Sequence, residues 1–159
     1  MKIYSFPHIS SSHSKVLILG TMPGEMSLKL NQYYGHGGNT FWKIIFGIFD
    51  EPFSSDYEKR KAILIKNNIA LWDVLQACER EGSSDNAILK EEPNDFSSFF
   101  KSHPNIKLIV FNGKNAEAYF NSLSNHKPLV QYIVMPSTSP ANTWKTFEEK
   151  IDEWKKIKL

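Results

Sequence analysis

Lys15–Gly20 reads Lys-Val-Leu-Ile-Leu-Gly, and three other stretches share its character: Asn68–Asp73 (Asn-Ile-Ala-Leu-Trp-Asp), Lys107–Asn112 (Lys-Leu-Ile-Val-Phe-Asn) and Val130–Met135 (Val-Gln-Tyr-Ile-Val-Met). Each is too short for a helix and rich in β-branched residues. Two of the four are continuously apolar rather than alternating. That is the pattern of strands buried on both faces, as in a parallel sheet covered by helices.

Helical patterns separate the runs. Thr40–Phe49 is apolar nearly all round and reads as a buried helix. Ser55 and Glu58 have capping-box spacing, which predicts a second helix from Ser55 to about Asn67. Pro93-Asn94-Asp95 opens a third over Phe-Ser-Ser-Phe-Phe-Lys-Ser, and Gly113–Leu123 supplies a fourth. A fifth runs from about Thr143 to Lys158, with Phe147, Ile151 and Trp154 on one face. Only Ser10–Ser14 and Glu81–Asn86 read as open loops, and there is no internal repeat or linker. Alternating strands and helices with four strands predict a three-layer α/β/α domain around a four-stranded parallel sheet.

With 159 residues, the chain is expected to form one domain spanning 1–159, since domains average about 150 residues. Its 41% hydrophobic and 23% charged residues fit a globular protein. Lys plus Arg number 19 against 17 Asp plus Glu, so the net charge of +2 excludes a polybasic tail but leaves room for a local basic rim. Cys78 is the single cysteine, which rules out an internal disulfide or a cysteine-based metal cluster. The start lacks the apolar core of a signal peptide, and no stretch reaches the ~20 apolar residues of a membrane span. The expectation is a cytoplasmic monomer that uses no metal or other cofactor and does not engage membranes.

In open parallel sheets ligands bind beyond the carboxyl ends of the strands. Strand one is followed there by Gly20-Thr21-Met22-Pro23-Gly24, then by Tyr33-Tyr34-Gly35-His36-Gly37-Gly38-Asn39. Strand two ends in Trp72-Asp73, leading to Arg80–Asp85. Strand three ends in Phe111-Asn112-Gly113-Lys114, and strand four in Met135-Pro136-Ser137-Thr138-Ser139-Pro140-Ala141-Asn142. Small, polar and backbone-permissive residues thus collect on one edge. The glycines after Tyr34 allow close backbone approach to a ligand, and the tyrosines offer a flat face. Asn39 either caps the following helix or faces the cleft. Ser137, Thr138 and Ser139 carry hydroxyls and amides suited to phosphate oxygens. The strand-one turn lacks the spacing of a dinucleotide loop or a P-loop. A serine-nucleophile elbow is absent, and no two histidines share metal-ligand spacing on a helix.

The strand-one turn, the Tyr33–Trp42 segment and the late Pro136–Asn142 segment together resemble the uracil-DNA glycosylase superfamily, and most closely its hypoxanthine-DNA glycosylase branch. Ala70–Leu75, Cys78–Ser83, Asp85 and Phe111–Lys114 extend the similarity over nearly the whole chain. The resemblance implies a four-stranded parallel sheet between helices. It also implies hydrolysis of the N-glycosidic bond of a deaminated base in DNA, leaving an abasic site. Where the mismatch-specific uracil branch has a water-placing Asn in the strand-one turn, this chain has Met22, and Met135 likewise replaces an Asn in the late motif. The resemblance therefore moves the catalytic amide to Asn39.

On that basis Asn39 positions the attacking water and His36 assists it or the leaving base. Thr21, Met22, Pro23, Gly24, Tyr34 and Asn112 hold the base, with Tyr34 stacking on it. Ser137, Thr138, Ser139 and Pro140 grip the DNA backbone, and Lys43, Lys114 and Lys145 supply a basic rim. Asp73 and Asp85 order the loop after strand two. The alternatives are a glycosylase for uracil or thymine mismatches, a non-catalytic DNA binder with the same fold, and an enzyme acting on free nucleosides.

Overall fold

The computed structural model describes residues 1–159. Its parallel sheet is built from β2 (Val16–Gly20), β3 (Ile69–Asp73), β6 (Leu108–Asn112) and β7 (Gln131–Met135), in the order β3-β2-β6-β7. All three pairings are parallel. The strands match the four apolar runs to within a residue at each end.

Successive side chains leave a strand on opposite faces, and here both faces are buried. Val16, Ile18, Ile69, Leu71, Leu108 and Val110 pack on one side against α2 (Phe41–Ile48), α3 (Tyr57–Lys66) and α6 (Phe147–Trp154). Leu17, Leu19, Ala70, Trp72, Ile109 and Phe111 face the other side, against α4 (Phe96–Ser102) and α5 (Lys114–Leu123). This is the expected three-layer α/β/α arrangement, and burial on both faces is why the strands read as unbroken apolar runs. No helix is long and apolar enough to cross a membrane.

The structure adds elements that the sequence reading lacked. A three-stranded antiparallel sheet, in the order β1-β4-β5, joins β1 (Lys2–Tyr4), β4 (Leu75–Glu79) and β5 (Leu89–Pro93). The chain enters it without a turn: only Val74 separates β3 from β4. The Val74 and Leu75 amides still donate to the Gly20 and Thr21 carbonyls as the strand peels away. A short helix α1 (Glu25–Leu30) follows the strand-one turn, and a 3-10 turn over Asp85–Ala87 closes the end of the expected Glu81–Asn86 loop.

Two helix starts are corrected. Asp56, not Ser55, caps α3, accepting from the Glu58 and Lys59 amides; a carboxylate one residue closer to the helix outcompetes the hydroxyl. The last helix begins at Phe147 rather than Thr143, because Thr146 and Glu149 form a reciprocal capping box there. Phe147 stays partly exposed, whereas Trp154 on the same helix is fully buried. Cys78 is buried on β4.

Candidate functional site

A cleft of about 730 Å³ opens at the carboxyl edge of the parallel sheet, a volume ordinary for a small-molecule or nucleobase site. Its wall is assembled from every loop the sequence singled out. Thr21, Met22, Pro23, Gly24, Tyr34, His36, Asn39, Asn112, Ser137, Thr138, Ser139 and Pro140 all line it. Lys114 and Lys145 do not. Lys114 is exposed at the start of α5, and Lys145 is engaged with Glu153 at 3.1 Å.

Asn39 lies one residue before Thr40, the N-cap of α2, and still satisfies a first-turn amide: its Oδ1 accepts the Phe41 amide at 2.9 Å. That bond uses one lone pair and fixes the side chain, leaving the second lone pair and the Nδ2 protons for the cleft. The capping and cleft-facing roles are therefore compatible, and the first gives the second its rigidity. The exposed His36 ring accepts the Gly38 amide at Nδ1, 2.9 Å away. In the neutral ring this leaves the proton on Nε2.

The two site loops are stitched together. Asn112 at the end of β6 donates from Nδ2 to Thr138 Oγ1 (2.9 Å), and its Oδ1 accepts the Thr138 amide (3.0 Å). The Thr138 carbonyl in turn accepts the Thr40 amide at 3.1 Å. Thr138 is 1% exposed, so it braces the loop and has no route to a DNA backbone, contrary to the sequence expectation. Asn112 shares in the brace but borders the cleft, with one Nδ2 proton and one Oδ1 lone pair beyond these two bonds. Ser137 and Ser139 differ: each hydroxyl accepts an amide of its own loop, from Ser139 and Ala141 respectively, and so keeps its O–H free to donate outward. Lys150, nearly buried on α6, supports the same loop by donating to the Asn142 carbonyl.

On the opposite wall, the Arg80 guanidinium donates to the Pro23 and Gly82 carbonyls and holds the Met22–Gly24 turn. Its Nη1 is buried without a partner. Ser83 Oγ accepts the Glu25 amide at 2.9 Å, closing the turn against α1.

The two tyrosines part company. Tyr33 is 3% exposed; its hydroxyl donates to the Phe6 and Pro7 carbonyls and its own carbonyl accepts from Trp42. It anchors the N-terminal arm. Tyr34 has a left-handed backbone (φ 53°), an uncommon conformation for a bulky residue. Phe41 covers one face of its ring, with centroids 4.2 Å apart. Its hydroxyl is buried and makes no hydrogen bond of good geometry; burial, then the neighbouring Asp73, raises its pKa well above the phenol range, and the nearby Asn112 side chain opposes the shift.

Asp73 is the residue whose place the sequence missed. It ends β3, as the apolar run predicted, but it is 3% exposed and forms part of the cleft floor instead of ordering the following loop. Ser5 donates to its Oδ2 at 2.8 Å. Desolvation by burial pushes its carboxyl up to about 7; Ser5 and Arg80 oppose the shift, and Asp85 adds to it. Trp144 was also missed. It stands 93% exposed on the rim beyond the Pro136–Asn142 segment, and exposure of a single aromatic leaves no mark in sequence.

With this geometry in place, comparison with known proteins is decisive for kinship. Residues 6–158 match the family model of the "Uracil DNA glycosylase superfamily". The chain is 43% identical over 120 residues to a hypoxanthine DNA glycosylase of Methanosarcina barkeri, covering 75% of this chain and 76% of that one. It is 37% identical over 158 residues to a hypoxanthine DNA glycosylase of Methanosarcina acetivorans, covering 96% and 95%. Its fold superimposes over the full length of both chains, with a TM-score of 0.82 and 34% identity, on the solution NMR structure of a Methanosarcina acetivorans protein provisionally assigned as a uracil DNA glycosylase. Four parallel strands, a cleft at their carboxyl ends and these matches together place the chain in the uracil-DNA glycosylase superfamily.

Proposed function

We propose that this protein is a monofunctional DNA glycosylase that hydrolyses the N-glycosidic bond of a deaminated base, hypoxanthine foremost, and leaves an abasic site. The observation that carries the reading is the Asn39 amide, fixed by its bond to Phe41, on the wall of a cleft roomy enough for an extruded nucleotide, in a chain whose relatives are named hypoxanthine DNA glycosylases.

The reacting C1′ is out of reach in a duplex, so the nucleotide must leave the stack, at a cost of a few kcal/mol that is lowest for a mismatched or damaged base. The free O–H groups of Ser137 and Ser139, with Pro140 beside them, suit a grip on the flanking phosphates. Trp144 is placed to stack on exposed bases, an interaction worth about 1–3 kcal/mol per base.

Bond cleavage builds positive charge on the sugar, as in other glycoside hydrolyses. Asn39 is not a base. Its free lone pair accepts a water proton and aims the oxygen at C1′, a positioning effect whose loss costs about a hundredfold. His36 Nε2–H is the neighbouring donor for that water or for the departing base. The amides around Met22–Gly24, held by Arg80, suit the negative charge that develops on the leaving group.

The test is alkali-revealed strand cleavage of oligonucleotides carrying one hypoxanthine, one uracil or neither, with free deoxyinosine in parallel. Cleavage at hypoxanthine in DNA, with free deoxyinosine untouched, is expected. Cleavage at uracil alone would keep the family and discard the hypoxanthine reading. Binding without cleavage at any base would make the protein a non-catalytic relative.

A further inference from the structure

Two polar atoms without a protein partner converge on the cleft floor. A Cβ built on Gly20 would lie 2.7 Å from Asp73 Oδ1 and 2.7 Å from Tyr34 Oη. The glycine therefore leaves open a small space bordered by a carboxylate oxygen and a phenol. The Tyr34 hydroxyl is buried and unpartnered. Ser5 satisfies the other Asp73 oxygen, leaving Oδ1 turned toward that space. Native structures rarely leave a buried hydroxyl unsatisfied, and one beside an unpaired carboxylate oxygen in a cleft calls for a ligand with the complementary pattern.

We propose that Asp73 and Tyr34 are a donor–acceptor pair that reads the lactam edge of the extruded base, Asp73 accepting its ring N–H and Tyr34 donating to the adjacent carbonyl. The inference rests on the glycosylase reading above. Deamination creates this edge. Adenine presents a ring nitrogen acceptor beside an amino donor, whereas hypoxanthine presents a ring N–H beside a carbonyl, and uracil and xanthine carry the same motif. Guanine shares it too, but guanine paired with cytosine is costlier to extrude than a mispaired hypoxanthine. The pair therefore sorts deaminated bases from adenine, and duplex stability disposes of guanine.

The pair also assigns Tyr34 a different contact from ring stacking. A phenol O–H lies in the plane of its ring, so Tyr34 cannot stack on a base and donate to that base's edge at once. Phe41 already fills one ring face. Tyr34→Phe separates the two contacts, because it keeps the ring and removes only the donor.

The groups facing Asp73 are Ser5 from the N-terminal arm, Arg80 after β4, Asp85 from the 3-10 turn, and Tyr33 and Tyr34 from the long loop. With the carboxyl titrating near 7 in the free protein, the ionised acceptor gains population as pH rises. The value of kcat/KM on hypoxanthine should climb to a plateau above that point.

The test measures kcat/KM from pH 5.5 to 9 on matched duplexes carrying hypoxanthine or adenine, for wild type, Tyr34→Phe and Asp73→Asn, with thermal unfolding confirming that each folds. Tyr34→Phe is expected to lose about tenfold on hypoxanthine, the scale of one lost hydrogen-bond donor. Asp73→Asn keeps an oxygen for the ring N–H but can also rotate to present its N–H₂. It should lose the pH-dependent rise and narrow the preference for hypoxanthine over adenine by tenfold or more. Folded variants with wild-type profiles and preference would overturn the pair, as would a wild-type rate that falls above pH 7. A wild type inactive on hypoxanthine but active on another base would instead overturn the hypoxanthine reading.

Discussion

Two polar clusters flank the central sheet, and they differ in whether their hydrogen bonds are met. Beside α4, His103 is buried with both ring nitrogens occupied: Nδ1 meets the Phe99 carbonyl at 2.8 Å and Nε2 meets Ser10 Oγ at 2.8 Å. Ser10 also bonds His8, which packs edge-on against Trp72, Phe99 and His103. That cluster is complete and ties the N-terminal arm to the fold. Around the cleft, the Tyr34 hydroxyl and Arg80 Nη1 are the two buried side-chain polar atoms without a partner, and Asp73 is held near neutrality by burial. Unmet bonding capacity is a cost that a structural cluster avoids and a binding site retains for its ligand.

The largest expected effect sharpens this contrast through stability. Asp73 has a folded-state pKa of about 7 against an ordinary 3.8. Below about pH 4 both states carry its proton and the penalty vanishes. As pH rises from 4 to 7 the unfolded chain releases the proton first and stability falls; above 7 the loss is constant. Urea unfolding at pH 4.5 and pH 8 should show Asp73→Asn more stable than wild type at the higher pH by on the order of 2–4 kcal/mol, with the gap shrinking at the lower. An equal gap at both pH values would remove Asp73 from the unsatisfied group.

Asn39→Ala comes next. It removes both the bond to the Phe41 amide at the start of α2 and the aimed amide. The glycosylase rate should fall by about a hundredfold or more, while stability falls by only about 1 kcal/mol. A loss of stability without loss of rate would return Asn39 to the purely structural side of the comparison.

Asn112→Ala breaks both hydrogen bonds to Thr138 and should cost about 1–3 kcal/mol in denaturant unfolding, loosening the Pro136–Asn142 loop. Ser10→Ala should cost about 1–2 kcal/mol and leave the glycosylase rate at wild-type level, since His8, Ser10 and His103 lie outside the cleft wall. A large rate effect from Ser10→Ala would break the distinction between the two clusters. The smallest effect belongs to Lys145→Ala. Its half-exposed pair with Glu153 contributes less than about 1 kcal/mol, and the salt dependence of DNA binding should barely change.

The parallel sheet was legible because burial on both faces writes itself as unbroken apolar runs such as Val16–Leu19 and Leu108–Phe111. The small antiparallel sheet was not. β1 has three residues, β5 is mostly polar and exposed, and β4 begins one residue after β3 with no Gly or Pro to mark the change of sheet. The site loops announced themselves through Gly35, Gly37, Gly38, Pro136 and Pro140. Asp73 gave no such signal, because a carboxylate at a strand end looks like loop chemistry until its burial is known. For the same reason the commitment of Asn112 and Thr138 to each other, and of Lys145 to Glu153, appears only in three dimensions.

The most direct test of the central claim is the identity of the product. A duplex with a single deoxyinosine, incubated with wild type and with Asn39→Ala, would be analysed by mass spectrometry for free hypoxanthine and for the abasic strand. Free hypoxanthine equal in amount to abasic sites from wild type, and about a hundredfold slower release from Asn39→Ala, is the expected result. A strand nicked with its base still attached, or no base released by folded wild type, would contradict hydrolysis of the N-glycosidic bond in this cleft.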